Sequence, residues 1–240
     1  MAARTTVSEI LASLSLEERF SLLAGASLGA TWDVDLMREI GELLADEFKS
    51  KSASVLLAPT MCIHRHPLGG RNFESFSEDP FLSGKLAAAY IRGMKSRGTG
   101  ATPKHFQNVQ ENKRFKVDAH ISPRALREAD PWCMMTAYNK VNGQHCDASK
   151  ELLVDIARDE WNWDGVSMRD WGGTTSTIGS INNGLDLEMP GPPLRRTKEA
   201  LEGPLRDGAI DLHRVDESAR RILALLEKTE QDQMLSLPFT

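Results

Sequence analysis

Short apolar runs alternate with helix-periodic stretches along most of the 240 residues. No other feature constrains the fold as much. Ser54-Val55-Leu56-Leu57-Ala58-Pro59 is an apolar run closed by proline, the signal of a buried strand. Gly100 to Phe106, Cys133 to Tyr138, Gly165 to Met168 and Leu185 to Pro190 read in the same way. Ser15-Leu16-Glu17-Glu18 forms a capping box for a first helix, with Gly25 as its stop. After Asp33, the positions Leu36, Ile40, Leu43, Leu44 and Phe48 keep helical spacing. Ser77-Glu78-Asp79-Pro80 opens a helix to about Arg97, with an acceptor at the cap and proline in the first turn. Ser122-Pro123 opens a short helix, Ser149 caps one to Trp161, and Asn142-Gly143 marks a turn. Asp211 begins a last helix with Val215, Ala219, Ile222, Leu223 and Leu226 on one face.

Strands that alternate with helices imply an α/β fold, a parallel sheet covered by helices. The length suits a (β/α)8 TIM-barrel-like domain, usually ~250 residues, although only five or six strands are readable. In such barrels the chemistry sits at strand C-termini. Three strands here end in polar groups, Lys104-His105, Tyr138-Asn139 and Asp170.

Composition removes several classes of function. Against 29 basic residues stand 34 acidic ones, a net charge of -5, which is the wrong sign for a general phosphate-backbone binder. No apolar run approaches the roughly 18 residues of a membrane span, and no secretory signal is visible, so a cytoplasmic location is favoured. Cys62, Cys133 and Cys146 are dispersed without a CxxC, which argues against a disulfide framework and a zinc site.

Each candidate residue has two readings. Asp170 follows an apolar strand and precedes Trp171-Gly172-Gly173; it is a nucleophile, with glycines admitting substrate, or a loop residue that caps the next helix. Lys104-His105 supplies donors to an anion or a sugar hydroxyl, or makes a salt bridge beside a satisfied histidine; a lysine there could also form a Schiff base. His64 and His66 have the look of a metal pair but no third ligand, so no metal or cofactor is expected. Gly69-Gly70-Arg71 does not match a phosphate-binding pattern; Arg71 followed by Glu74, Glu78 and Asp79 reads as a rigid loop held by internal ion pairs. Of Trp132, Trp161, Trp163 and Trp171, all are core by default except Trp171, which is placed to act as a sugar platform.

These residues also carry a resemblance. The run Pro67-Leu68-Gly69-Gly70-Arg71-Asn72-Phe73-Glu74-Ser75-Phe76-Ser77-Glu78-Asp79-Pro80 closely resembles the signature loop of family 3 glycoside hydrolases, the fungal and bacterial β-glucosidases. So do Lys104-His105-Phe106, Met135 through Gly143, Trp161 through Trp171, and Gly184 through Pro192. The likeness covers residues 8 to 228 or so. It implies a partial N-terminal barrel domain over 1–228, with 229–240 a polar tail. It also implies a retaining enzyme that releases terminal β-D-glucose from a small β-glucoside or oligosaccharide, with no nucleic-acid or membrane partner. By the same resemblance Asp170 is the nucleophile. Arg71, Lys104 and His105 would hold the sugar hydroxyls, Met135 and Tyr138 would line the subsite, and Trp171 would be the stacking wall.

The sequence also departs from that pattern. The family's Ser-Asp-Gly-Pro strand, whose Asp grips the glucose hydroxyls, is absent between Gly25 and Trp32, and a helix after Glu128 is largely missing. Residue 169, usually small, is arginine. By the same resemblance the general acid/base is commonly supplied by a second domain, and no residue here is assigned that role. The expectation is a β-glucosidase-type barrel lacking a strand and a helix. The alternative is a noncatalytic product, a truncated or misspliced barrel or a sugar-binding remnant. A lysine-dependent barrel enzyme using Lys104 is a third reading.

Overall fold

The computed structural model describes residues 25–106, 118–119 and 128–229. The capping box at Ser15, the helix at Ser122-Pro123 and the tail from 230 onward lie outside the described residues. No described helix is long and apolar enough to cross a membrane.

Parallel strands form the frame. Strand β1 (Val55–Leu56) pairs with β2 (Gly100–Ala101). Strand β3 (Lys104–Phe106) pairs with β5 (Cys133–Thr136), and β5 with β8 (Val166–Arg169). Single parallel bridges, Thr60 to Lys104 and Met168 to Leu187, extend the array on both sides. The staves therefore run in the order 55–60, 100–106, 133–136, 166–169 and 187, and among the described residues no pairing joins the first to the last. A smaller sheet sets β4 (Asp118–Ala119) parallel to β6 (Lys140–Val141), which forms a hairpin with β7 (Gln144–His145) across Asn142-Gly143.

Register decides which side chains share a face. Cys133 pairs with Val166 and Met135 with Met168, so these four form one apolar layer. Met134 points the other way, into a cluster with Phe106, Leu152, Leu153 and Ala157 of the helix Glu151–Glu160. Asp170, two residues beyond Met168, continues the first face where β8 ends.

The helices cover this sheet. A short turn of helix, α1 (Gly25–Gly29), precedes α2 (Val34–Ser50), which is capped by Asp33, whose carboxylate accepts the Asp35 and Leu36 N–H groups. Helix α3 (Pro80–Ser96) starts as its sequence signal predicts, with Asp79 accepting the Phe81 N–H at 2.8 Å. Later helices are α4 (Ile178–Asn182), α5 (Lys198–Arg206) and α6 (Leu212–Lys228), the last capped by Asp211.

Several sequence expectations need correction. The 100–106 run is split at Thr102-Pro103, because Pro103 has no N–H to give to a ladder. Leu185 to Pro190 makes one bridge rather than a strand. The Asp186 carboxylate takes the Ser167 N–H at 2.8 Å, a donor that a neighbouring strand would need. The helix expected from Ser149 to Trp161 is a wider π-helix over Glu151–Glu160. On α2 the buried line is Met37, Gly41 and Ala45, with Leu43 exposed. On α6 Val215, Ala219 and Leu223 are exposed, and the inward side carries Ser218, Arg221, Ile222 and Leu225.

Candidate active site

Three elements bring the polar residues together. The loop after β1 ends in a 3-10 turn, Asn72–Glu74, whose first flanking residue is Arg71. The two histidines of this loop serve its backbone. His66 Nδ1 accepts the Leu68 N–H at 3.1 Å, and His64 Nε2 lies 3.0 Å from the Ser75 carbonyl. Among the described residues no group of three His, Cys, Asp or Glu could hold a metal ion. On β3 the register slips between Lys104 and Phe106. A bulge of this kind re-aims side chains, and here two successive residues both serve the same cluster. Asp170 arrives from the end of β8.

His105 Nε2 is 3.1 Å from Asp170 Oδ2, and Asp170 Oδ1 accepts the Trp171 N–H at 2.8 Å. Arg71 Nη1 lies 3.4 Å from the same His105 nitrogen. Arg71 also binds Glu74 in a bidentate pair, Nε to Oε1 at 2.7 Å and Nη2 to Oε2 at 2.6 Å. The Tyr138 hydroxyl donates to the Trp171 carbonyl at 2.6 Å. Behind the ring of His105, Cys62 Sγ lies 4.0 Å from Nδ1 and accepts the His105 N–H at 3.4 Å.

The electrostatics follow from this packing. Burial pushes the Asp170 carboxyl up, but the hydrogen bond and charge of His105, the Trp171 N–H and the Tyr138 hydroxyl outweigh it and hold the group below the usual carboxylate value. Burial lowers His105 despite Asp170. Burial also lowers Lys104, against the pull of Glu74 and Asp170. Glu74 would be raised by burial, yet its pair with Arg71 brings it below its ordinary value.

The structure therefore places Arg71, Lys104, His105, Tyr138 and Asp170 in one cluster. Trp171 stands beside it, 46% exposed. Met135 pairs with Lys104 on one side and Met168 on the other, and is buried in the apolar layer. Sequence reasoning did not place Glu74, Thr60 or Cys62 at the site. The Arg71-to-Glu74 spacing was a usable signal for Glu74; a buried cysteine and threonine on an irregular loop give none. It also missed the support beneath Asp170. Arg169 is fully buried, donates from Nε to the Gly173 carbonyl at 2.6 Å, and lies 5.2 Å from the Tyr138 ring centroid. Asp147, 3.9 Å from Arg169, accepts the Thr175 N–H and hydroxyl.

Residues 21–225 match the model of the glycosyl hydrolase family 3 N-terminal domain. The chain belongs to this family. It is 54% identical over 218 residues to beta-glucosidase B of Emericella nidulans, an alignment covering 85% of this chain and 26% of that protein. The crystal structure of a β-glucosidase from Kluyveromyces marxianus superposes with a TM-score of 0.83 at 43% identity, covering 88% of this chain and 27% of that one. The same enzyme in complex with glucose gives a TM-score of 0.83 at 36% identity, covering 95% and 34%. The chain spans about a quarter of the length of the curated relatives it matches.

Proposed function

We propose that this family 3 domain holds the terminal glucose of a small β-glucoside and supplies, as Asp170, the nucleophile of a retaining β-glucosidase. The observation that carries this reading is the His105–Asp170 contact at 3.1 Å, which supports an ionised carboxylate at a strand end. Asp170 attacks the anomeric carbon while the aglycone departs, forming a covalent glycosyl ester. Water then attacks the same carbon, breaking the ester C–O bond and giving its proton, through solvent, to the departed aglycone anion, which releases β-glucose with retained configuration and regenerates the carboxylate. Arg71, Lys104 and His105 donate to sugar hydroxyls. Trp171 offers its exposed ring as a stacking wall and Tyr138 fixes the Trp171 backbone, while Met135 packs beneath. The glucose bound by the Kluyveromyces marxianus relative favours the same ligand class here.

The same reading takes the five parallel staves as an arc of a (β/α)8 barrel. On this reading the barrel is short of a strand between Gly25 and Trp32 and of most of a helix after Glu128.

Glu74 does not serve as the proton donor to the leaving oxygen. Both its oxygens are clamped by Arg71, and the pair keeps it ionised. A nitrophenolate leaving group needs no protonation, so aryl glucosides isolate the step assigned to Asp170. The test is incubation of the purified chain with a 2,4-dinitrophenyl 2-deoxy-2-fluoro-β-glucoside. A stoichiometric burst of phenolate and a glycosyl adduct on the peptide carrying Asp170 are expected. An unlabelled protein, or an adduct elsewhere, overturns the reading.

A further inference from the structure

The chemistry assigned to Asp170 leaves Glu74 without a role, yet Glu74 is the more firmly held of the two carboxylates. It takes both Arg71 hydrogen bonds and a third from the Thr60 hydroxyl at 3.3 Å. Its guanidinium partner comes close to the nucleophile. A single imidazole nitrogen, His105 Nε2, lies 3.4 Å from Arg71 Nη1 and 3.1 Å from Asp170 Oδ2.

That nitrogen can serve only one of its neighbours. An imidazole nitrogen carries either a proton or a lone pair, and a guanidinium only donates. An ionised Asp170 at 3.1 Å favours the tautomer that carries its proton on Nε2. Nη1 of Arg71 then faces an N–H, a donor against a donor, and gains nothing from the contact. Arg71 is always charged, and a guanidinium is well matched to grip a carboxylate with two parallel N–H bonds. Released from Glu74, it would turn to the next carboxylate, which is Asp170. A carboxylate held in a guanidinium fork has both oxygens occupied and its charge neutralised, and it attacks carbon poorly.

We propose that Glu74 is a positioning residue that holds Arg71 away from Asp170, so that Arg71 binds the sugar and Asp170 stays open to the anomeric carbon. The inference rests on the reading of Asp170 as the nucleophile. The lowered pKa of Glu74 agrees with it, because the restraint requires a permanently charged carboxylate.

The test is a cycle of variants of the full chain, Glu74→Gln, Arg71→Met and the two combined, assayed with 4-nitrophenyl β-glucoside. Glu74→Gln should lower kcat by about 10- to 100-fold, the scale of one charge-assisted hydrogen bond. Adding Arg71→Met should recover part of that loss, although it removes a sugar ligand. Glu74→Asp, which keeps the charge, should retain more activity than Glu74→Gln. A double variant slower than Glu74→Gln would overturn the proposal, because a merely structural role makes the losses accumulate. A crystal structure of Glu74→Gln decides independently of turnover. Arg71 bonded to Asp170 is expected, and Arg71 still bonded to residue 74 overturns the proposal. A wild-type chain inert toward the aryl glucoside would sink the assigned function but leave this structural test standing.

Discussion

Nε2 of His105 lies 3.1 Å from Oδ2 of Asp170, with 2% and 13% of their side chains exposed. The contact joins β3 to the end of β8 across the intervening strand β5. It helps hold the carboxylate below its ordinary value, and four expectations follow from it and from the packing around it.

Asp170→Asn keeps the shape of the side chain and removes its charge. Hydrolysis of aryl β-glucosides should fall on the order of 10⁴-fold or more, the scale of losing a nucleophile. The chain should still melt cooperatively. A variant with more than a tenth of wild-type turnover would exclude Asp170 as the attacking group.

The pH dependence of stability has a definite sign. The folded His105 binds its proton below its ordinary pKa of 6.5, so the unfolded chain takes up more protons once the pH falls below that value. Stability is therefore lost as pH drops from 6.5 toward the folded pKa of His105. Asp170 acts in the same direction lower down. Its stabilisation is present above 3.8 and lost as pH falls through its depressed folded pKa. Melting temperatures between pH 8 and 3 should decline on the acid side. His105→Gln should flatten the decline in the upper window, and an unchanged curve would show that the histidine does not titrate this way.

Asp186 anchors the far side of the sheet. Its Oδ2 accepts the Ser167 N–H and hydroxyl and pairs with Arg158 at 2.8 Å, and its Oδ1 takes Ser218 at 2.8 Å and Arg221 at 3.1 Å. Arg158, with its pKa brought down to about 10 by burial, is already costly to keep charged there. Asp186→Ala leaves two buried guanidinium groups without this partner and should cost about 3–5 kcal/mol. Denaturant titration measures it, and a loss below about 1 kcal/mol would mean that Asp164, through Arg220 and Arg221, holds α6 in place without Asp186.

Two adjacent glycines should respond differently. A Cβ on Gly173 would sit 2.5 Å from Nε of Arg169, whose side chain is fully buried and cannot withdraw. A Cβ on Gly172 meets open space, and only its φ of +65° opposes a side chain. Gly173→Ala should cost about 1–3 kcal/mol through overpacking, and should loosen the Trp171 loop and shift its fluorescence. Gly172→Ala should cost about 1 kcal/mol, the scale of placing a Cβ in the left-handed region. Equal losses would contradict the packing of Arg169 against this loop.

Much of the site was legible because it lies where local rules act. Asp33, Asp79 and Asp211 each cap a helix as their position before an apolar-periodic run requires. Asp170 and Lys104-His105 stood out because a polar group closing a buried strand has few purely structural uses. The helix faces were less readable. Helices α2 and α3 approach so closely that a Cβ on Gly41 would meet the Tyr90 carbonyl at 2.3 Å, and one on Gly93 the Arg38 carbonyl at 2.1 Å. That contact turns α2 so that Met37 and Ala45 face inward and Leu43 does not. On α6, Arg221 points inward because Asp186 waits there, a preference no hydrophobic period contains.

The sequence by itself determined the alternation of strand and helix, the helix starts and the residues able to do chemistry at strand ends, because these depend on spacing within a few residues. The tertiary structure alone decided which of them meet. Asp170 and His105 are 65 positions apart, and Arg71 lies 34 before His105. Only parallel pairing in a fixed register, with one slip at His105, brings them to one point. Only there does Glu74 become the partner that holds Arg71 beside Asp170 without letting it bind, because charges in contact compete and no local pattern records the competition.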